Sequence, residues 1–395
     1  MPSLQLSLIH CHMTKPISCF NLALFRIMFG LMMAYHMYRA VFWHHTVEAN
    51  FGFPELNLHF WFARWVIKPR LEFIYWLFYI NIISALCMAL GFYYRLSCLV
   101  FTVCYAYSNM LEKARYNNHF YLYTLIGFLF FITDSHRRLS LDSLLPRIFK
   151  STDRMKKKNR SYNEVPLWQL YIFRFQLSIV YFFAGLAKIN YDWIVLGEPM
   201  RTWGYWNDFS LFRQLAQVVL PEHIAQDTVG YFFSINGMMF DLFISCFLLV
   251  PKLRKIGFTL SFLFHISNHF LFKIGTFPWV MMATHVLFLK PETAESLLSS
   301  LKERLKIAKR NANNKKDSSQ AINYKSTSMK WPMKALLYIY VIIQLMLPFR
   351  HWMYSRDVNW TMEGHQFSWR MMLNDEDVIL RINQRLKTGQ RVTFK

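Results

Sequence analysis

The run Leu177-Ser-Ile-Val-Tyr-Phe-Phe-Ala-Gly-Leu-Ala-Lys-Ile-Asn-Tyr-Asp-Trp193 sets the class of this chain. It is apolar almost throughout until a lone amine, Lys188, interrupts it. A helix that is apolar all round belongs in a large core or in lipid. An amine at its edge either reaches for water along its methylene stem or is held in a pocket. A desolvated amine loses its proton more readily and can serve as a base for a lipid-soluble substrate. A lysine snorkelling to the interface is the ordinary reading, and both readings start from a membrane span.

The rest of the chain agrees. Its 395 residues are 54% hydrophobic and 18% aromatic, with only 17% charged, more aromatic surface than a water-soluble core of this size holds. The formal charge of +22 is concentrated in connections between apolar runs. That pattern speaks for cytoplasmic loops and anionic-lipid contact, and against nucleic acid. Six cysteines lie in or beside apolar runs with no paired spacing, so neither a disulfide framework nor a zinc site is indicated.

Nine apolar stretches are candidate spans, at about 19–40, 73–91, 96–111, 119–133, 166–187, 229–250, 256–272, 276–290 and 332–349, the eighth short enough to be re-entrant. The basic connections Arg137 to Arg160, Lys252 to Lys255 and Lys302 to Lys330 fall on one side in a single alternation. The sequence therefore predicts an all-α polytopic membrane bundle of about eight to nine transmembrane helices, with a cytoplasmic N-terminus. Residues 1–15 read as a cytoplasmic tail without a cleavable leader, 16–350 as the membrane domain, and 351–395 as a short outer or lumenal segment. The segments 44–72 and 190–228, with Trp61, Trp65, Trp193, Trp203 and Trp206, read as half-buried interfacial helices on the outer face. Residues 309–330 read as a polar cytoplasmic linker.

In this topology four polar groups converge on the outer side: Lys188, Asn118-His119, His265 and His351. Asn118-His119 reads either as a helix cap with an interfacial histidine or as a hydrogen-bonding pair for an oxygen on a quinone-like ring. His265 and His269 share a helix face, but the further paired histidines of a di-iron site are missing, so no metal is expected. For His351, beside Arg350, the ordinary reading is a headgroup contact. Arg26 and Arg174 lie inside spans and are expected to pair within the bundle.

On particular stretches the chain resembles the vitamin K-dependent gamma-carboxylase family, most closely its bacterial branch. They are Phe25-Arg-Ile-Met-Phe-Gly30, Asn117-Asn-His-Phe-Tyr-Leu-Tyr123, Pro166-Leu-Trp168 and Tyr181-Phe-Phe-Ala-Gly-Leu-Ala-Lys188 with Asp192-Trp193. Gly197-Glu-Pro-Met200, Phe264-His265, Asn268, Ile274-Gly-Thr-Phe-Pro-Trp279 and Asn359-Trp-Thr361 leading to Phe367-Ser-Trp-Arg-Met-Met-Leu373 complete the match, which runs in order over about residues 16–375.

The resemblance implies a catalytic set of Lys188 as base, His119 at the quinone site and His351 in carbon dioxide addition. Asn118, His265, Asn268, Trp360 and Trp369 are implied as quinone or substrate contacts. The implied cofactor is reduced vitamin K, of menaquinol or phylloquinol type, with O2 and CO2 as co-substrates. The implied partners are the lipid bilayer and a peptide or protein glutamate. An amine alone is too weak to remove a carbon-bound proton, so quinol oxidation to the epoxide must drive the step. The membrane is the bacterial inner membrane for the bacterial branch and the endoplasmic reticulum otherwise.

There are departures from the family pattern. Ala187 replaces a second lysine of the vertebrate enzymes, and Gly364-His365 stand where those have Leu-Tyr. The large lumenal β-rich domain is expected to be missing after about residue 375, which leaves tethering to a partner chain or to a cleft near Trp360 to Trp369 that binds short glutamate peptides weakly. The alternative is a non-enzymatic quinone- or lipid-binding membrane protein that keeps the bundle without carboxylation.

Overall fold

A computed structural model describes residues 13–43, 45–52, 58–149, 163–205, 207–272, 274–290 and 329–373, positions 293 and 296, and residues 382–385 and 391–394. The basic stretch Lys156 to Lys158, residues 302–328 and Trp206 lie outside the described residues. So do the tail 1–12 and most of the linker 309–330.

The chain is mostly helical. Its helices are α1 (Phe20–Phe42), α2 (Leu71–Leu90), α3 (Tyr94–Met110), α4 (Asn118–Ile132), α5 (Leu141–Phe149), α6 (Trp168–Ala187), α7 (Met200–Trp203), α8 (Ser210–Gln217), α9 (Glu222–Leu249), α10 (Arg254–Phe272), α11 (Phe277–Ala283), α12 (Trp331–Met346) and α13 (Val358–Thr361). The first four pack in sequence, α1 on α2, α2 on α3 and α3 on α4, while α6 packs on α9 and α9 on α10. Gly30 permits the α1–α2 crossing: a Cβ there would stand 2.7 Å from the Ala85 carbonyl and 2.8 Å from Ala89 Cβ.

Among the described residues, two small sheets qualify the all-α expectation. β1 (Pro16–Ser18) pairs antiparallel with β2 (Glu164–Pro166), Ile17 opposite Val165, and ties the start of α1 to the start of α6. β3 (Ile382–Arg385) pairs antiparallel with β4 (Arg391–Phe394). Strands of three or four residues carry too little alternation to stand out in a sequence.

All nine apolar stretches are helical over most of their length, but among the described residues five helices are long and apolar enough to cross a membrane: Phe20–Phe42, Leu71–Leu90, Trp168–Ala187, Glu222–Leu249 and Trp331–Met353. The last is α12 continued by the tighter turn Leu347–Met353. Asn118–Ile132 and Phe277–Phe288 are shorter apolar helices. At about 1.5 Å per residue such helices fall short of a hydrocarbon core of about 30 Å.

The buried arginines do pair inside the bundle, with backbone carbonyls rather than carboxylates. Arg26 donates to the carbonyls of Ser135 (2.8 Å) and Leu139, and Arg174 donates to Leu287 (2.8 Å). Trp193 and Trp203 are buried rather than half-buried, in a small core with Met200, Phe209, Val229, Met238 and Leu271. Trp61 and Trp65 are exposed, on loops rather than on the helix expected over 44–72.

Two outcomes check this fold. Gly30→Ile should lower stability by about 1–3 kcal/mol, through overpacking at the α1–α2 crossing, measured by thermal unfolding in detergent. Cysteines placed at Val219 and Lys252, on either side of α9, should be labelled from opposite faces of the membrane.

Candidate functional site

Lys188 caps the C-terminal end of α6 and is buried, 5% exposed. Its Nζ donates to Asp241 Oδ2 at 2.8 Å and to the Ala184 carbonyl at 3.2 Å. Asp241, on α9, is itself only 7% exposed. The pair forms because the two helices touch one turn away: a Cβ on Gly185 would lie 2.7 Å from the Leu242 nitrogen. Trp193 covers the amine, its ring centroid 5.1 Å from Nζ. Its indole Nε1 donates to the Ser234 carbonyl (2.8 Å), and Ser234 Oγ donates back to the Trp193 carbonyl (2.7 Å). Sequence reasoning missed Asp241, although the signal was present: it is the lone acidic residue in the apolar stretch 229–250, where an ionisable group is costly and commonly functional.

A second group of polar side chains lies deeper in the bundle. Tyr181, two turns before Lys188 on α6, shares a 2.7 Å hydrogen bond with His265 Nε2 on α10. His265 Nδ1 and Ser245 Oγ, the latter one turn from Asp241, are buried without a partner among the described residues. His119 and His265 both rest against the ring of Phe277, with centroids at 5.6 and 6.3 Å. Beside them His36 Nδ1 meets Thr276 Oγ1 at 3.1 Å, and Tyr123 meets the same hydroxyl at 3.4 Å. His36 was also overlooked; a histidine inside the first apolar run was its only signal. Asn268 is half-buried, one turn beyond His265.

The remaining expected residues lie around the C-terminal loop. The Asn118 side chain is committed to that loop: Nδ2 donates to the Arg370 carbonyl (2.7 Å) and Oδ1 accepts from the Tyr116 hydroxyl (2.9 Å), which in turn accepts from the Phe367 amide (2.6 Å). Trp369 is buried, stacked on Tyr121 at 4.9 Å, whereas Trp360 is 85% exposed. His351 Nδ1 donates to the Pro348 carbonyl at 2.8 Å, so the neutral ring carries its lone pair on Nε2. His351 helps to line a cavity of about 800 Å³, with Phe183, Ala187, Asn190, Asn359 and Arg370 among its walls. Lys188 is not among those walls, although Ala187 and Ile189 on either side of it are. The expected convergence thus divides in two: Lys188 with Asp241 in the α6–α9 seam, and His351 in the cavity next to it.

The loop is held under backbone strain. Met362, Phe367, Trp369 and Met372 all have positive φ, 58° to 61°, at about 1–2 kcal/mol each for a side-chain-bearing residue. Gly364, at φ 77°, is required, because a Cβ there would meet His351 Cα at 2.5 Å. Such strain persists where surrounding bonds over-determine it, commonly at functional sites.

Removing one member of the Lys188–Asp241 pair strands a buried charge. Lys188→Met or Asp241→Asn alone should cost about 3–5 kcal/mol, and the double variant Lys188→Met/Asp241→Leu should recover most of it, read as Tm in detergent. The loop should also respond to acid. Burial, with the Arg370 guanidinium nearby, lowers His365 from 6.5 to about 4. Between those values the unfolded chain binds the extra proton, so loop stability should fall as pH falls from 6.5 toward 4. Hydrogen exchange across residues 362–372 should rise through that window, and His365→Asn should abolish the dependence.

Residues 14–292 match the HTTM domain, and residues 329–394 match the lumenal domain of vitamin K-dependent gamma-carboxylase. No solved structure matches the chain. The second match qualifies the expectation that the lumenal domain is missing after about residue 375, since it takes in the strained loop and the β3–β4 pair. The first covers well over half of the chain, and the two follow one another in a single polypeptide. The chain belongs to the vitamin K-dependent gamma-carboxylase family, built on an HTTM domain.

Proposed function

We propose that this chain is a membrane enzyme that couples oxidation of a reduced vitamin K-type quinol by O2 to carboxylation of a peptide glutamate. The observation that carries this reading is the buried Lys188–Asp241 pair, 2.8 Å apart between two helices apolar enough to span a membrane. The Lys188 amine donates to Asp241 Oδ2, so Asp241 lies where it can take a proton from Lys188 while Lys188 takes one from a substrate hydroxyl. Asp241 holds the amine in place and Trp193 closes the seam against water.

The surroundings suit an aromatic diol. His265 Nδ1 and Ser245 Oγ are buried polar atoms without a partner among the described residues, and Tyr181, Phe240 and Phe277 surround His265 with aromatic rings. A quinol bound there would supply the reducing equivalents for O2 and, with them, the drive to remove a carbon-bound proton. On the cavity side, His351 Nε2 offers a neutral base and Arg370 a positive wall for a glutamate carboxylate. On this reading the N-terminus is cytoplasmic, as the basic connections argue, and the glutamate peptide arrives from the opposite face.

Purified protein given menaquinol and O2 should form the epoxide, with turnover raised by a glutamate peptide, and Lys188→Ala should abolish it. Wild-type protein that binds the quinol but yields no epoxide would be a quinone- or lipid-binding protein instead.

A further inference from the structure

α9 and α10 form a hairpin that is closed at one end and wedged apart at the other. Near the turn Gly257 lets α10 rest on the α9 backbone, where a Cβ would stand 3.1 Å from the Phe247 carbonyl carbon. Arg254 donates there to the carbonyls of Leu248 (3.0 Å) and Leu249 (3.2 Å). At the other end the Phe209 ring stands between Phe233 of α9 and Phe272 of α10, with centroids at 5.2 and 5.6 Å. Midway along, the seam is filled by Phe240 and Phe264, stacked at 3.8 Å with their planes 15° apart.

Both rings are half-buried. Their neighbours Met239, Phe243, Phe262 and Leu263 are exposed and apolar, as lipid-facing residues are. Each ring also precedes a residue of the candidate site in the chain, Phe240 before Asp241 and Phe264 before His265. Phe240 lies 6.1 Å from the His265 ring and 5.8 Å from that of Tyr181. One turn from Asp241, Gly237 leaves space beside the indole that covers Lys188: the nearest atom to a Cβ there would be on Trp193, at 3.9 Å. The neighbouring seams are tied by polar contacts. Lys188–Asp241 (2.8 Å) joins α6 to α9, Tyr181–His265 (2.7 Å) joins α6 to α10, and Tyr340–Gln176 (2.7 Å) joins α12 to α6. Between α9 and α10 the contact at this depth is the ring pair, which parts without breaking a hydrogen bond.

We propose that the α9–α10 seam is a lateral doorway through which a quinol with a long apolar tail passes from the bilayer toward the Lys188–Asp241 pair. Phe240 and Phe264 are its movable leaves, and the tail stays in the seam after entry. The occupant rests on the quinol-oxidising reading. Such a molecule does not cross water, because its tail would have to be hydrated on the way. It reaches a buried site between helices, and the rings that yield exchange contacts with each other for contacts with the tail. Phe209 already holds the helices apart at one end, so the rings can turn while the hairpin stays packed. Motions of this kind run on microseconds to milliseconds and commonly gate active sites.

Menaquinone carrying a diazirine on its tail, photolysed with the full chain in lipid nanodiscs, tests the doorway without turnover. Label should map to α9 and α10 around Phe240 and Phe264 and be displaced by unlabelled menaquinone. Displaceable label on α1, α6 or α12 instead, or seam label that menaquinone does not displace, overturns the doorway. Phe240→Cys/Phe264→Cys, bridged after folding by a short bis-methanethiosulfonate reagent, should lose capture of the probe and regain it on reduction. Each state is compared with the same variant before bridging, so a cost of the substitutions themselves cancels. Unchanged capture, or unchanged epoxide formation, after complete bridging also overturns the doorway and leaves Lys188 as base untouched. Displaceable seam label on a wild-type protein that forms no epoxide keeps the doorway and overturns the functional reading instead.

Discussion

An ammonium and a carboxylate facing each other across two apolar helices impose their demands on everything nearby. Stripping either ion of water costs several kcal/mol, which is recovered only if the partner sits at hydrogen-bond distance and the remaining polar atoms are satisfied. Lys188 and Asp241 meet at 2.8 Å because Gly185 lets α6 and α9 approach backbone to backbone. Trp193 covers the pair and is itself fixed at both its indole and its carbonyl by Ser234. The wide turn Asp192–Leu196 carries Trp193, whose indole lies over the amine and also belongs to the second small core.

Two other buried cations, Arg26 and Arg174, are handled differently, and the difference separates architecture from chemistry. Arg26 and Arg174 spend their donors on backbone carbonyls at turns and helix ends. A carbonyl accepts a hydrogen bond but cannot take the proton, and a guanidinium does not surrender one. These contacts lock α1 and α6 to the connections beside them. Lys188 faces a carboxylate, which can receive its proton, and an amine is far easier to neutralise than a guanidinium. Of Arg26, Arg174 and Lys188, it is the one whose partner is a carboxylate.

The C-terminal loop shows how a distant segment is recruited to this neighbourhood. Asn118, at the start of α4, and Tyr116 just before it hold Phe367 and Arg370 by backbone atoms. Those bonds sustain four side-chain-bearing residues at positive φ and bring Gly364 against His351. The cavity beside the end of α6 lies against this loop, and Asn118, through the Arg370 carbonyl, holds the segment from which Arg370 lines it.

Much of this was legible in the sequence. Long apolar runs announce helices because lipid leaves the backbone no other way to satisfy its hydrogen bonds. Lys188, His119, His265 and the two arginines stand out against those runs because polar groups there are costly enough to need a reason. Other features were not legible. The strands β1 to β4 are too short to show a period, and five of the described helices, rather than eight or nine, are long and apolar enough to cross a membrane. Asp241 and His36 carry the same kind of signal as Lys188, but each acquires meaning only beside a partner, 53 positions away for Asp241 and 240 for His36. The sequence by itself determined that the chain is a family member built of apolar helices, with a lysine that must be accounted for. Only the tertiary structure decided that this lysine is paired, that Asn118 holds a loop, and that His351 faces a separate cavity. Helix formation depends on neighbours along the chain, whereas pairing of buried charges depends on which helices are close enough to touch.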